Sequence, residues 1–98
     1  MDGENDMAQL MLPGRLDPGA AQPLLESLLA LRGSPLVINA TEVDHATTLC
    51  MQVLLASAAA WKADGFAFRI ADASAQFVEA AGLLGLSHQQ LPMEPKTP

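Results

Sequence analysis

Apolar residues recur along the chain at helical and at extended spacings in turn, and this alternation predicts the elements of the fold. The first predicted helix runs from Ala20 to Leu31, because leucines recur there at spacings typical of a helix. These leucines are Leu24, Leu28 and Leu31, with Leu25 and Leu29 widening the apolar stripe. Asp17 is predicted to cap this helix, with Pro18 at its first position.

Two further helices are predicted in the second half of the chain. One starts near Thr48, contains a long apolar run and ends near Gly65, a residue suited to the left-handed conformation after a helix. The other follows Ser74 and ends near Gly85, with apolar residues at helical spacing between them. These apolar residues are Phe77, Val78, Ala81 and Leu84.

Three apolar segments outside these helices are predicted strands: Met7 to Leu12, Leu36 to Ile38 and Phe66 to Ile70. The middle segment is rich in β-branched residues and is expected to be buried on both faces of a sheet. The alternation predicts an α/β fold, a single layer of mainly parallel β-sheet with helices packed against it. Residues 1–6 are expected to be disordered and residues 91–98 to form a flexible C-terminal tail, leaving residues 7–90 as one domain.

Composition and charge exclude several classes of function. The chain has 98 residues, of which 50% are apolar, so it fits one folded domain and not a disordered chain. Its formal net charge of −6 argues against nucleic acid as a partner, because phosphates would be repelled. There is no basic block for an anionic membrane and no apolar run long enough to insert into one. A partner protein with a basic or apolar surface fits better.

The single cysteine, Cys50, has no partner for an internal disulfide, which favours a reducing compartment. The first residues are acidic and do not resemble a secretory signal, which has a basic start and an apolar stretch. We therefore expect a cytoplasmic protein.

The two threonines before the long apolar helix, Thr47 and Thr48, are the first candidates for function. Either hydroxyl could cap the helix by accepting a backbone N–H, a contribution of about 1 kcal/mol. A phosphate on Thr48 would also be tolerated, because a helix N-terminus presents free N–H groups and a partial positive charge. Such a phosphate would add negative charge to the surface while leaving the fold intact.

Other candidate chemistry is weaker. Asp44 and His45 are titratable neighbours in a loop, but no nucleophile stands at a useful spacing, so a solvated loop or a partner contact is expected. Cys50, His45 and His88 lack the spacing of metal ligands, and no glycine-rich phosphate loop is present. We predict neither enzymatic activity nor a cofactor. Met51 is expected to be exposed beside the threonines, and Trp61 to lie in the core with its indole N–H at the edge.

Several short segments, in this order, resemble the STAS family, which includes bacterial anti-sigma factor antagonists. The segment from Thr47 to Leu55 stands where that family has a D-S-S-G-L or D-T-A-G-L motif opening a helix, and it is especially similar to a divergent branch with S-T-P-x-L-Q-V-L-L-A-A. The other similar segments are Gly14-Arg15-Leu16-Asp17, Leu36-Val37-Ile38-Asn39, Ala63-Asp64-Gly65, Phe68-Arg69-Ile70 and Ala81-Gly82-Leu83-Leu84-Gly85-Leu86. The resemblance covers residues 8–88 and implies a STAS-like fold.

The resemblance also implies a function. Thr48 falls on the phosphoacceptor position, with Thr47 in place of the family's Asp, Leu49 in place of a small residue and Cys50 in place of Gly. The protein would be a bacterial signal-transduction module that binds an anti-sigma factor kinase, and phosphate on Thr48 would break the complex. The residues expected to contact the partner are Asp44, His45, Thr47, Thr48, Leu49, Met51 and Gln52.

The alternative is a constitutive binding module that is never phosphorylated. It would belong to a chemotaxis cluster, with a chemotaxis regulator as partner, or to a bacterial phospholipid-transport complex, with an ABC transporter subunit as partner. Thr48 would then contact the partner directly.

Overall fold

A computed structural model of the chain describes residues 7–96. The expectation of disorder for residues 1–6, and the last two residues of the predicted tail, lie outside the described residues. The strands are β1 (Ala8–Met11), β2 (Arg15–Leu16), β3 (Leu36–Asn39), β4 (His45–Ala46), β5 (Phe68–Ala73) and β6 (Met93–Pro95). The helices are α1 (Ala21–Ala30), α2 (Thr48–Asp64) and α3 (Ala75–Leu83).

Four strands form a parallel sheet in the order β1-β3-β5-β6. Leu36 at the start of β3 pairs with Ala8 on one side and with Phe68 on the other, which fixes the register. The helices are packed against this sheet, and the predicted α/β class is confirmed. Strands β2 and β4 form a separate two-stranded parallel sheet beside the start of α2.

The three helices lie on one face of the four-stranded sheet. Each connection moves to the next strand in the same direction, and parallel connections are right-handed, so the helices follow one another along the same face. Burial agrees with this arrangement, because Leu36 and Ile38 are fully buried whereas Val37 and Asn39 are partly exposed. The prediction that the segment 36–38 is buried on both faces is therefore wrong. No helix within residues 7–96 covers the second face of the sheet.

Part of the expected flexible tail, residues 91–98, is the short strand β6. Leu91 is fully buried, and the amide of Ile70 donates to the carbonyl of Pro92 at 2.9 Å. Arg69 on β5 and Glu94 on β6 form an ion pair, with Nη1 and Oε1 2.9 Å apart. A strand this short, with prolines at and beside it, carries no periodic signal, so the sequence did not predict it.

The predicted helices match the observed ones closely, but the capping predicted at the start of α1 is not found. Gly65 ends α2 in the left-handed conformation, with φ 82°, as predicted. A short 3₁₀ turn, Pro18–Ala20, precedes α1, and Asp17 stands at the cap position without a side-chain capping bond. The predicted cap by the Asp17 side chain is therefore wrong. The backbone conformation of the turn before α1 is set by Pro18 and by a hydrogen bond. In this bond the amide of Ala20 donates to the Asp17 carbonyl at 2.9 Å.

Trp61 lies in the core between α2 and the sheet, as predicted. Only 2% of its surface is exposed, and its indole Nε1–H donates to the carbonyl of Ser34 at 2.7 Å. Its ring packs against Phe68 with a centroid distance of 5.6 Å. The hydrogen bond satisfies the polar end of a buried ring and links α2 to the chain just before β3.

Candidate functional site

The amino end of α2 is fastened to β2 through Thr47. This residue occupies the cap position in an extended conformation, but its hydroxyl makes no capping bond. Instead, Oγ1 donates to the carbonyl of Leu16 at 2.8 Å, and the same carbonyl accepts the amide of Thr47 at 2.9 Å. Thr48 is the first helical residue and is exposed. Neither threonine caps the helix, so that prediction is wrong, and Thr47 has a structural role.

Three side chains of the first turns of α2 reach solvent together: Thr48, Leu49 and Gln52, with Leu49 49% exposed. Met51, which we expected beside them, is fully buried. Met51 precedes Leu54 by three residues, and residues at that spacing share one face of a helix, here the face that packs on the core. The expected contact of Met51 with a partner is therefore wrong.

The segment from Glu42 to Ala46 is held against the chain before β2 by backbone hydrogen bonds. The amides of Asp44 and His45 both donate to the carbonyl of Gly14, at 2.8 and 3.2 Å. A side chain at position 14 would come within 3.2 Å of the Glu42 carbonyl, so the close approach favours glycine there. Both Asp44 and His45 are exposed, and the end of the predicted loop is the short strand β4.

Ser74 ties this segment to α3. Its buried hydroxyl donates to the carbonyl of Val43 and accepts the amide of Phe77 at 3.1 Å. The hydroxyl therefore caps α3 and also holds the chain directly before Asp44. The sequence identified Ser74 only as the residue before a helix.

The described residues hold no arrangement suited to metal chemistry. Within residues 7–96 no group of three or more His, Cys, Asp or Glu side chains is placed to hold a metal ion. Cys50 is buried, and its thiol donates to the carbonyl of Asp17 at 3.3 Å. The sheet adds strands in one direction only, so it lacks the reversal of strand order at which α/β folds form a ligand crevice.

The exposed side of α2 carries no charge over most of its length. We define the outward face of α2 by five exposed residues: Thr48, Leu49, Gln52, Ala56 and Ala59. No Asp, Glu, Lys or Arg occurs in the helix before Lys62. Most surface helices present charged residues to water, and a helix that is apolar all round is usually covered.

Grooves run along both sides of this face. The first, which we call the α1–α2 groove, has a volume of about 320 Å³ and is lined mainly by apolar side chains. They include Leu25, Leu29, Leu49, Val53, Ala56 and Ala60. The second groove is larger, with a volume of about 1060 Å³, and lies between α2 and the chain that leads into β6. It includes Leu55, Ala59, Lys62, Phe66 and Gln90. Helix α2 is thus a ridge between two grooves.

Charged side chains occur near both ends of α2. At the carboxyl end of α2, Arg32 and Asp64 form an ion pair, with Nε and Oδ2 2.8 Å apart. The hydrogen bond from Arg32 lowers the pKa of Asp64, and the same bond raises the pKa of Arg32. Three carboxylates, Asp17, Glu42 and Asp44, belong to the segments that precede α1 and α2, and we call them the acidic rim. None of these three is in an ion pair within residues 7–96.

A family model described as "Mlab, STAS domain" matches residues 2–94. The chain belongs to the STAS domain family. This confirms the predicted resemblance over nearly the whole chain. No curated protein matches it.

STAS domains are regulatory protein-interaction modules and are typically not enzymes. In this STAS domain, the residues predicted to meet a partner divide into two groups. Thr48, Leu49, Gln52 and the Asp44-His45 pair are exposed at one end of the molecule, whereas Thr47 and Met51 have structural roles. No helix within residues 7–96 has the length and hydropathy needed to cross a membrane.

Sequence reasoning missed the contribution of α1 to this surface. Leu25 and Leu29 were assigned to the apolar stripe of a core helix, yet they are 37% and 57% exposed in the α1–α2 groove. The signal that could have found them is the width of that stripe, because Leu25 and Leu29 extend it past the positions a single packed face needs.

Proposed function

We propose that this STAS domain is a protein-binding regulatory module whose partner docks on the outward face of α2. The observation that carries the proposal is the charge-free exposed surface from Thr48 to Ala59, beside the half-exposed leucines of the α1–α2 groove. Charged residues are depleted at the cores of protein interfaces, and such a surface gains free energy when it is covered. The buried Cys50 thiol fits a reducing compartment, and we place the complex in the cytoplasm.

A constitutive contact is the version of this function that we favour. The hydroxyl of Thr48 lies beside Leu49 at the edge of an apolar surface. Thr47, which stands in place of the family's Asp, has its hydroxyl occupied by the Leu16 carbonyl and offers no carboxylate to a kinase. The matched family model is also the Mlab type of STAS domain, not one described by anti-sigma factor antagonism. The domain would be a fixed subunit of a chemotaxis cluster or a phospholipid-transporting ABC complex.

A phosphorylation switch of the anti-sigma factor antagonist kind is the second candidate. It is favoured by the position of Thr48, which is exposed and is the first residue of α2. A phosphate there would add roughly −1.5 to −2 of charge. Because Thr48 lies beside the exposed Leu49, a phosphate there would have to lose its water against an apolar partner surface, which costs free energy and would break the contact.

Position 59 tests the docking surface itself. The domain is used as affinity bait in lysate of its own source, and bound protein is identified and quantified by mass spectrometry. Ala59→Glu places a carboxylate at the carboxyl end of the outward face and is expected to abolish retention of the partner. Ala30→Glu is the matched control, because Ala30 is exposed on α1 and lines neither groove. Equal retention by wild type and Ala59→Glu would refute the proposal.

Substitutions at Thr48 separate the two versions of the function. In a constitutive contact, Thr48→Asp and Thr48→Ala both weaken retention, and Thr48→Ser keeps it. In a switch, Thr48→Asp abolishes retention while Thr48→Ala keeps it, and phosphothreonine is found at position 48 in the unbound pool.

A further inference from the structure

Strand β1 forms one edge of the four-stranded sheet, and its outer side pairs with no other strand within residues 7–96. The amides of Ala8 and Leu12 donate to carbonyls in or just before β3, at 2.8 and 2.9 Å. Because successive backbone groups alternate in direction along a strand, the N–H and C=O groups of Gln9 and Met11 point away from β3. These groups match a partner with an extended backbone.

The two edges of this sheet differ in their protection against pairing with a further strand. Strand β6, the opposite edge, has a charged residue, a terminal proline and a register shift against β5, and each of these features discourages pairing. Strand β1 has no charged residue and no proline, and it pairs with β3 in an unbroken register. Of the two edges, only β1 is therefore open to an added strand.

A second copy of this chain supplies a strand that fits this edge. When two β1 strands run antiparallel about a two-fold axis at Leu10, Gln9 of each copy lies opposite Met11 of the other. Both outward N–H groups of each strand then donate to outward carbonyls of the other strand. Because β1 is uncharged, the pairing places no like charges opposite each other.

The same pairing covers apolar side chains. Met11 is 60% exposed, and Leu10 is partly exposed. In this register Met11 lies beside Gln9 of the other copy, and the two Leu10 side chains meet at the axis, where opposite Cα atoms are about 4.5 Å apart. Removing these side chains from water favours association.

Helix α1 leaves room for a second copy at this edge. It connects β1 to β3 and contacts α2 on one side. Leu25 and Leu29 face α2, whereas Pro23 and Ser27 lie about 200° from them around the helix. The flank of α1 on the side of the β1 edge thus has short, uncharged side chains at these positions, which allow two α1 helices to approach across the axis.

We propose that two copies of this domain associate by antiparallel pairing of their β1 strands, which joins their sheets into one. This inference goes beyond the proposed function, and it leaves the outward face of α2 free in both copies, because α2 connects β3 to β5, away from β1. A stable dimer buries about 800 Å² on each partner, more than a four-residue edge provides, so the association is weak and depends on concentration.

Sedimentation equilibrium of the full chain from about 10 μM to about 1 mM, the range of a weak complex, tests the proposal. Wild type should shift from monomer to dimer across this range. Gln9→Pro should weaken dimerisation at least about tenfold, because it removes one N–H donor of each copy from the interface. It keeps the hydrogen bonds to β3, since the Gln9 amide points outward. Gln9→Thr, the matched control, keeps the N–H and should dimerise like wild type.

Charge pairs provide a second test that does not depend on the folding of Gln9→Pro. A chain with Gln9→Lys and Met11→Lys places like charges across the axis and should stay monomeric, as should a chain with Gln9→Glu and Met11→Glu. An equimolar mixture of the two places opposite charges there and should dimerise.

Three results would overturn the inference: a wild type that stays monomeric, dimerisation that Gln9→Pro leaves unchanged, or a charge mixture that stays monomeric. A monomeric wild type would leave the β1 edge to an extended segment of another protein.

Discussion

Thr47 and Thr48 are adjacent in the sequence, but the structure assigns them opposite consequences for stability and binding. The variants Thr47→Val and Thr48→Val each remove one hydroxyl and keep the shape of the side chain. Position 47 has φ −82° and ψ 158°, an extended conformation that a β-branched valine adopts readily, so the substitution brings no backbone strain.

The expected loss of stability follows from the hydrogen bonds. Thr47→Val removes the bond of 2.8 Å to the Leu16 carbonyl. That carbonyl still accepts the amide of residue 47 at 2.9 Å, so no buried acceptor is left without a partner. The cost is then the net value of one hydrogen bond, about 1 kcal/mol. Thr48 is exposed, and its replacement should change the free energy of unfolding by less than about 0.5 kcal/mol.

Equilibrium urea denaturation and thermal unfolding of the three proteins measure these differences. Thr47→Val should lower the midpoint of thermal unfolding by about 4–8 °C, and Thr48→Val should leave it close to wild type. Retention of the partner should show the reverse order at a temperature where all three proteins are folded. Equal losses of stability, or a larger loss for Thr48→Val, would refute the assignment of a structural role to Thr47 and an exposed contact to Thr48.

Three further predictions concern stability and are checked by the same denaturation experiments. Ser74→Ala removes both hydrogen bonds of a buried hydroxyl and should cost about 2 kcal/mol, and a loss below about 0.5 kcal/mol would contradict this account. Gly65→Ala forces an L-residue to φ 82° and should cost about 1–2 kcal/mol, whereas Gly82→Ala, inside α3 with open space at the Cβ position, should stabilise by about 0.5–1 kcal/mol. Because Arg32 lowers the folded-state pKa of Asp64, the ion pair stabilises the protein above the unfolded-state pKa of Asp64 and loses this effect as pH falls through the lowered value. The stability difference between wild type and Asp64→Asn should therefore be present at neutral pH and vanish in acid, and a difference that persists in strong acid would contradict the ion pair.

The helices were predictable because their signals are local. The leucine spacing placed the first helix from Ala20 to Leu31, and the structure has it at Ala21–Ala30. The end of the second helix was predictable from Gly65 alone, since glycine adopts the left-handed conformation without a steric penalty. Such features depend on neighbours within a turn or two, and the sequence displays them directly.

The sheet was less predictable because strand pairing joins distant parts of the chain. Strand β6 has three residues and is held by β5 and by the burial of Leu91. Its prolines favoured a tail when read alone. The open face of the sheet was missed because a run of β-branched residues also fits a strand covered on one face, as Val37 shows.

The site was predictable in place but not in the roles of its residues. The bond between Thr47 and Leu16 joins residues far apart in sequence, so local reasoning saw two equivalent hydroxyls. The burial of Met51 could have been deduced from its spacing to Leu54 on one helical face. The uncharged run after Thr48 was visible in the sequence, but that its outer side faces solvent became apparent only once the helix was packed on the sheet.

Site-specific photocrosslinking in living cells tests the central claim most directly. A benzophenone amino acid is placed at Gln52 or Ala59 on the outward face of α2, and at Glu79, which is exposed on α3, as a control. The account predicts that both α2 positions crosslink to the same partner protein and that position 79 does not. Crosslinking to a partner from position 79 alone, with none from positions 52 and 59, would contradict it.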